Sequence, residues 1–304
     1  MSIVHAVIHV VLVVLLPPLL LGVVNKTKAA FAGRVGPPWL QAYYDLAKLL
    51  RKGSVFSRTT TWVFRAGPVV ALVTALFAAL IVPLGAHPAP IAFAGDFVLF
   101  AYLLGLGRFF TVAAALDTGS AFEGMGGARE ATFSCLAEPA LFFGLLVLAR
   151  ASGSLSLTEM LGVSVGATWA IAGAALVAVA TSFFVVLLAE NSRIPFDDPN
   201  THLELTMVHE VMVLDHGGPL LGLILYGAAV KLFVFAALVV GIAAPLGGVD
   251  PWLAWPAFVA SLLGLAVAID VVESVMARLR LVQVPALLLA ACLMSAFGVL
   301  LLVR

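Results

Sequence analysis

The chain has 304 residues, 63% of them hydrophobic and only 11% charged, with 16 Lys+Arg against 16 Asp+Glu. A soluble domain carries about 25% charged residues, so the composition excludes one and points to a polytopic membrane protein. A net charge of zero gives no footing to nucleic acid or to an acidic substrate.

Spanning a bilayer takes about 20 apolar residues in helical form. Eight runs qualify, near 3–24, 68–84, 96–116, 133–150, 162–189, 219–244, 252–273 and 284–303. The expected fold is therefore all-α, one transmembrane domain over residues 1–304 with about eight membrane helices. The first run lacks a basic segment before it and is too long for a signal peptide. It reads as a permanent helix, bent at Pro17–Pro18. Cys135 and Cys292 lie far apart inside apolar runs; they read as small core residues, not as a redox pair or cluster ligands.

The loops carry the orientation signal. The first holds eight cations: Lys26, Lys28, Arg34, Lys48, Arg51, Lys52, Arg58 and Arg65. Arg129 lies in the third, Arg193 in the fifth, and Arg278 and Arg280 in the seventh, whereas the even loops hold only Arg150. The positive-inside rule then predicts loops 1, 3, 5 and 7 in the cytoplasm and both termini outside. Within the first loop, Leu40, Tyr43, Tyr44, Ala47 and Leu50 share a face and the cations gather at its end. That predicts an interfacial amphipathic helix, serving as a lipid-surface anchor or as a docking face for a cytoplasmic partner. The glycine-rich third loop, 116–130, reads first as a flexible connection and lacks a dinucleotide fingerprint.

Arg108, Glu138 and Lys231 sit inside spanning runs, with Asp270 and Glu273 near the inner end of the seventh. Each such charge costs ~2.5–3.5 kcal/mol at a helix centre, so each is expected to face the bundle interior. Asp270 and Glu273 share a helix face; a proton path and static pairing with Arg278 or Arg280 are both open.

One stretch concentrates the titratable groups. Leu188–Pro219 contains six carboxylates (Glu190, Asp197, Asp198, Glu204, Glu210 and Asp215) and three histidines (His202, His209 and His216). A polar island between two greasy helices marks a site. The histidines recur at seven, one face if the helix is continuous, which is too wide for ligands on adjacent turns. His209–Glu210 lacks the second histidine of HExxH, so no metal site is expected. Ile194–Pro195 ahead of Asp197 predicts a non-helical turn.

AENSRIPFD (Ala189–Asp197) resembles the fifth-loop signature of the complex I subunit 1 family. Gly36, Pro37, Gln41, Asp45 and Lys48 resemble its first-loop pattern. Arg129 and Glu138 keep its spacing into the fourth helix, and Arg278, Arg280 and Gln283 resemble its seventh loop. DDPNTHLELTMVHEVMVLDHGGP is similar to the branch that forms the membrane subunit of group 4 nickel–iron hydrogenases, the hydrogenase-4 component C and formate hydrogenlyase subunit 4 type. Asn200 and His202 stand where quinone-reducing complex I has glutamates, which argues against a quinone pocket.

The resemblance implies a subunit of a cell inner membrane oxidoreductase with no cofactor of its own. It implies docking of a hydrogenase-like large subunit and small iron–sulfur subunits, which carry the iron–sulfur clusters and a nickel–iron centre if one is kept. Antiporter-like membrane subunits would receive the coupling of redox chemistry to protons or sodium. Docking would use Arg34, Gln41, Asp45, Lys48, Arg129, Arg193, His202, His209, Arg278 and Arg280. Proton coupling would use Asp197, Asp198, Glu204, Glu210 and Asp215 at the junction, then Glu190, Glu123, Glu130 and Glu138, with Asp270 and Glu273. The rival readings are the quinone-binding membrane subunit of a respiratory NADH:quinone oxidoreductase, a stand-alone ion transporter whose carboxylates bind a cation, and a purely structural anchor.

Overall fold

The computed structural model describes residues 3–162, 164–197 and 207–303. Among them, eight helices are long and apolar enough to cross a membrane. They are α1 (Ile3–Phe31), α3 (Trp62–Ile81), α4 (Asp96–Asp117), α5 (Ala121–Ser152), α7 (Ser164–Glu190), α8 (Gly218–Ala243), α9 (Pro251–Val275) and α10 (Val284–Val303). Two shorter helices join them: α2 (Gln41–Leu50) in the first loop and a single turn, α6 (Leu157–Met160). No β-strand occurs among the described residues. The chain is a multi-pass membrane protein.

Helix ends depart from the apolar runs where capping or packing extends them. α1 is helical throughout, Pro17 and Pro18 included, and continues to Phe31 through the polar segment NKTKAA. Pro18 has no N–H for the Val14 carbonyl; the Tyr226 hydroxyl on α8 donates to it instead, at 2.9 Å. α3 starts early because Thr61 caps it. The Asp117 carboxylate at the end of α4 also accepts from Thr61 N (2.7 Å) and Phe64 N (3.2 Å), placing a negative charge at an N-terminus that favours it. The largest difference is the third loop. The flexible connection expected at 116–130 is mostly the first turns of α5, so Glu123, Arg129, Glu130 and Glu138 ride on one helix.

Five helices close a ring. α3 packs on α4, α4 on α5, α5 on α7, α7 on α8, and α8 back on α3. α1 and α9 cover the other flank of α8, while α10 lies against α5 and α7. The outward faces are apolar, as lipid requires: Tyr102, Phe109, Ile171 and Leu293 are exposed. α2 lies against α1 and α8, with Tyr43 donating from its hydroxyl to the Leu15 carbonyl.

At the end bearing the even loops, α1 and α9 meet through rings. His87 stacks on Trp255 at 4.0 Å and on His5 at 4.5 Å, and its Nε2 lies 2.9 Å from the Pro251 carbonyl. Burial first, and then the neighbouring His5, hold the His87 pKa below its ordinary value of 6.5. A lowered folded pKa favours the neutral ring. Its contribution is complete above about pH 6.5 and is lost as pH falls through the folded value. The melting temperature of the solubilised protein should therefore fall between about pH 7 and pH 5. His87→Gln, which keeps an N–H for Pro251, should flatten part of that fall. Parallel curves for the two proteins would clear His87 of the effect.

Candidate functional site

The ring of five helices closes around a guanidinium. Arg108, midway along α4, reaches three carboxylates: its Nη2 is 2.5 Å from Glu190, its Nε 3.4 Å from Glu130, and its Nη1 hydrogen-bonds Glu138. Lys231 of α8 holds the other Glu190 oxygen at 2.8 Å. Glu130 and Glu138 stand eight residues apart on α5 and face the same guanidinium. Glu190 is the last residue of α7, where the helix closes through Ser192 in the left-handed region (φ 51°). Burying these charges singly is prohibitive; together they satisfy one another.

Above the cluster lies the turn at 207–217, with a single 3₁₀ turn at Glu210–Val213. The recurrence of histidines at seven does not become a continuous helix among the described residues. Gly126 on α5 is why the turn sits so close: a Cβ there would collide with Val211 and fall 2.9 Å from Met212. Asp197 accepts from Val208 N (2.9 Å) and His209 N (3.4 Å), and Arg278 binds its other oxygen at 2.7 Å. Arg129 donates to the Met207 carbonyl at 2.9 Å. His209 is thereby turned inward, its Nδ1 3.7 Å from Glu130. Glu123, fully buried, accepts from Asp215 N at 3.2 Å, while the Asp215 side chain is exposed. His216 stacks on Phe64 at 3.9 Å, and burial pushes its pKa below the usual histidine range.

A second group lies on the α1–α9 flank. Glu273 meets Arg193 at 3.4 Å and Lys28 at 3.6 Å. Asp270, one turn away and fully buried, has no hydrogen-bond partner for either oxygen. The pairing of Asp270 or Glu273 with Arg278 or Arg280 is not what forms; Arg278 goes to Asp197. Between the two groups is a chamber of about 330 Å³ under α2. Lys28, Asp45, Arg193, Glu210, Lys231 and Glu273 reach it.

The sequence-derived residues thus divide. Glu130, Glu138 and Glu190 converge on Arg108, His209 faces Glu130, and Glu123 and Asp215 bond each other nearby. Arg193, expected at a docking face, is 8% exposed and points inward. Gln41 and Asp45 bond each other on α2 (2.9 Å), and Arg34, Lys48 and Arg280 are exposed. Asp198, His202 and Glu204 lie outside the described residues. Arg108 and Lys231 are legible in the sequence only as misplaced charges in apolar runs, and Lys28 only as one loop cation among eight.

This geometry can be set beside known proteins. The family model described as NADH dehydrogenase matches residues 3–304. The chain belongs to the NADH dehydrogenase family. Formate hydrogenlyase subunit 4 of Escherichia coli (strain K12) is 32% identical over 292 residues, covering 92% of each chain. Hydrogenase-4 component C of the same organism is 33% identical over 245 residues, 81% of this chain and 76% of that one. The H subunit of the NADH-quinone oxidoreductase of Rubrobacter xylanophilus matches less of the chain, at 31% over 174 residues, 57% of this chain and 53% of that one. Among solved structures, a chain of the membrane-bound sulfane sulfur reductase, an archaeal respiratory membrane complex, superposes with a TM-score of 0.81. It does so at 22% identity over 98% of both chains, so the fold of this NADH dehydrogenase family member is shared with it.

Removing the guanidinium should expose the interdependence of the cluster. Arg108→Met leaves three carboxylates with Lys231 alone and should destabilise the protein by about 3–5 kcal/mol, read as unfolding in mixed micelles. Adding Glu190→Gln should recover part of that loss. Additive losses would mean the two side chains do not share an interaction.

Proposed function

We propose that the chain is the membrane subunit of a complex I-related oxidoreductase of the hydrogenase-4 and formate hydrogenlyase kind. It docks a hydrophilic redox arm and couples that arm's chemistry to proton movement. One observation carries the reading: a titratable network locked across α4, α5, α7 and α8 lies directly beneath a turn that ends at a membrane face. Charge so buried beside lipid is costly and has no use in a mere anchor. The similarity to formate hydrogenlyase subunit 4 and hydrogenase-4 component C supports the same assignment.

The odd-loop end carries nearly all the loop cations, so it faces the cytoplasm of the cell inner membrane, with both termini outside. The exposed cations of that face, Arg34, Lys48 and Arg280, then meet the arm, a hydrogenase-like large subunit with small iron–sulfur subunits. Those chains hold the iron–sulfur clusters and any nickel–iron centre; this chain contributes no cofactor. Glu138 is half exposed on the lipid-facing side of α4 and α5, beside a recess lined by Tyr102, Phe109 and Phe142. A carboxylate cannot face hydrocarbon, so an antiporter-like membrane subunit covers it.

A quinone is the natural alternative ligand, given the similarity to part of an NADH-quinone oxidoreductase. The chamber under α2 is lined mostly by apolar side chains, Leu21, Leu46, Ile224 and Leu232 among them, and several charged residues also reach it. A quinone ring favours an apolar slot with few polar groups. Such a lining does not exclude one; what speaks against a quinone is that Asn200 and His202 stand where quinone-reducing complex I has glutamates.

Affinity purification in mild detergent should bring down iron–sulfur polypeptides with this chain. In that complex Glu190→Gln should leave the subunit composition intact and reduce turnover-linked proton movement about tenfold or more. A chain that purifies alone and conducts ions in liposomes would instead be a transporter. Unchanged coupling in the variant would leave only an anchor.

A further inference from the structure

His209 stands between two cavities. Its ring lines the chamber of about 330 Å³ under α2 and also a separate inner cavity of about 80 Å³, walled by Arg108, Glu130, Thr74 and Lys231. The side chain keeps 28% of its surface, yet Nδ1 is buried, lacks a hydrogen bond and faces Glu130 at 3.7 Å. One ring therefore has a wet side and a dry side. Its backbone is clamped by Asp197, and the turn that carries it is seated on Gly126 and held by Arg129. The placement is imposed by three separate contacts.

The carboxylates differ in what they can take up. Both Glu190 oxygens are held, one by Arg108 and one by Lys231. Glu138 is half exposed at the lipid-facing edge. Glu130 gives Oε1 to Arg108, and its Oε2 faces the His209 ring. The oxygen placed to take a proton inside the cluster is Glu130 Oε2.

We propose that His209 carries protons between the chamber under α2 and Glu130. The ring takes a proton at Nε2 from chamber water and becomes an imidazolium. It then releases the Nδ1 proton to Glu130 Oε2, which leaves the Nε2–H tautomer. The ring rotates Nδ1 toward the chamber, where water takes the Nε2 proton and returns one to Nδ1, so the net change is one proton moved from chamber water to Glu130. The charged groups that face the ring are Glu130 of α5, Arg108 of α4, Lys231 of α8, Glu190 of α7, and Asp197 and Glu210 of its own segment. An imidazole suits such a transfer because its ordinary pKa lies near neutrality.

This inference rests on the coupling function proposed above, and the experiment separates the two. In the purified complex reconstituted in liposomes, turnover-linked proton uptake is followed with a pH dye for His209→Gln, His209→Gly and Glu130→Gln. His209→Gln should slow uptake about a hundredfold with subunit composition unchanged. Added imidazole should restore uptake in His209→Gly but not in Glu130→Gln, a rescue that a purely structural role would not show. If Glu130→Gln abolishes uptake while His209→Gln stays within about twofold of the parent and imidazole does nothing, the assignment to His209 is wrong and coupling stands. If Glu130→Gln is also without effect, both are wrong.

Discussion

A guanidinium that cannot leave the membrane interior sets the terms for the rest of this molecule. Arg108 sits midway along α4, where neither water nor lipid can satisfy five N–H donors. Among the described residues, the acceptors it reaches are carboxylates on neighbouring helices. Glu130 and Glu138 come from α5 and Glu190 from the end of α7; Lys231 comes from α8 because Glu190 still has an oxygen to offer. Satisfying one charge thus fixes the relative positions of four helices. Apolar packing fills the space around them, with Phe100, Phe183, Phe233 and Phe235 almost wholly buried.

The network is also poised to respond. Four buried charges that balance, Arg108, Glu130, Glu190 and Lys231, with the half-exposed Glu138 beside them, are sensitive to any change at their edge. That edge is the turn at 207–217, bound to the membrane helices through Asp197, Arg129 and the bare backbone at Gly126. The same Asp197 is held by Arg278 from the segment after α9. A partner that moves this turn would shift His209 against Glu130 and alter what the cluster will accept. The second polar group, Lys28–Glu273–Arg193 with the unpartnered Asp270, shares the chamber but not the Arg108 cluster. It joins α1, the segment after α7, and α9.

The chain belongs to the NADH dehydrogenase family and shares its fold, at a TM-score of 0.81, with a chain of the sulfane sulfur reductase. The similarity extends over nearly the whole chain, and the polar cluster ties together four of its membrane helices.

Some of this is legible in the amino-acid order. Membrane class, eight spans and the polar island at 188–219 follow from hydropathy, because lipid punishes every uncompensated charge and the pattern records where charge is tolerated. The family resemblance is carried by local motifs whose spacing survives in linear form. Other features are out of reach. The glycine-rich segment at 116–130 reads as a loop, because the turn that packs against Gly126 is some eighty residues away. Arg193 reads as a surface cation because its acid partner, Glu273, lies on α9. Arg108 can be flagged as a buried charge, but not matched with Glu130, Glu138, Glu190 and Lys231. Spacing reveals which residues share a helix face; only the packing of helices distant in sequence decides which faces meet.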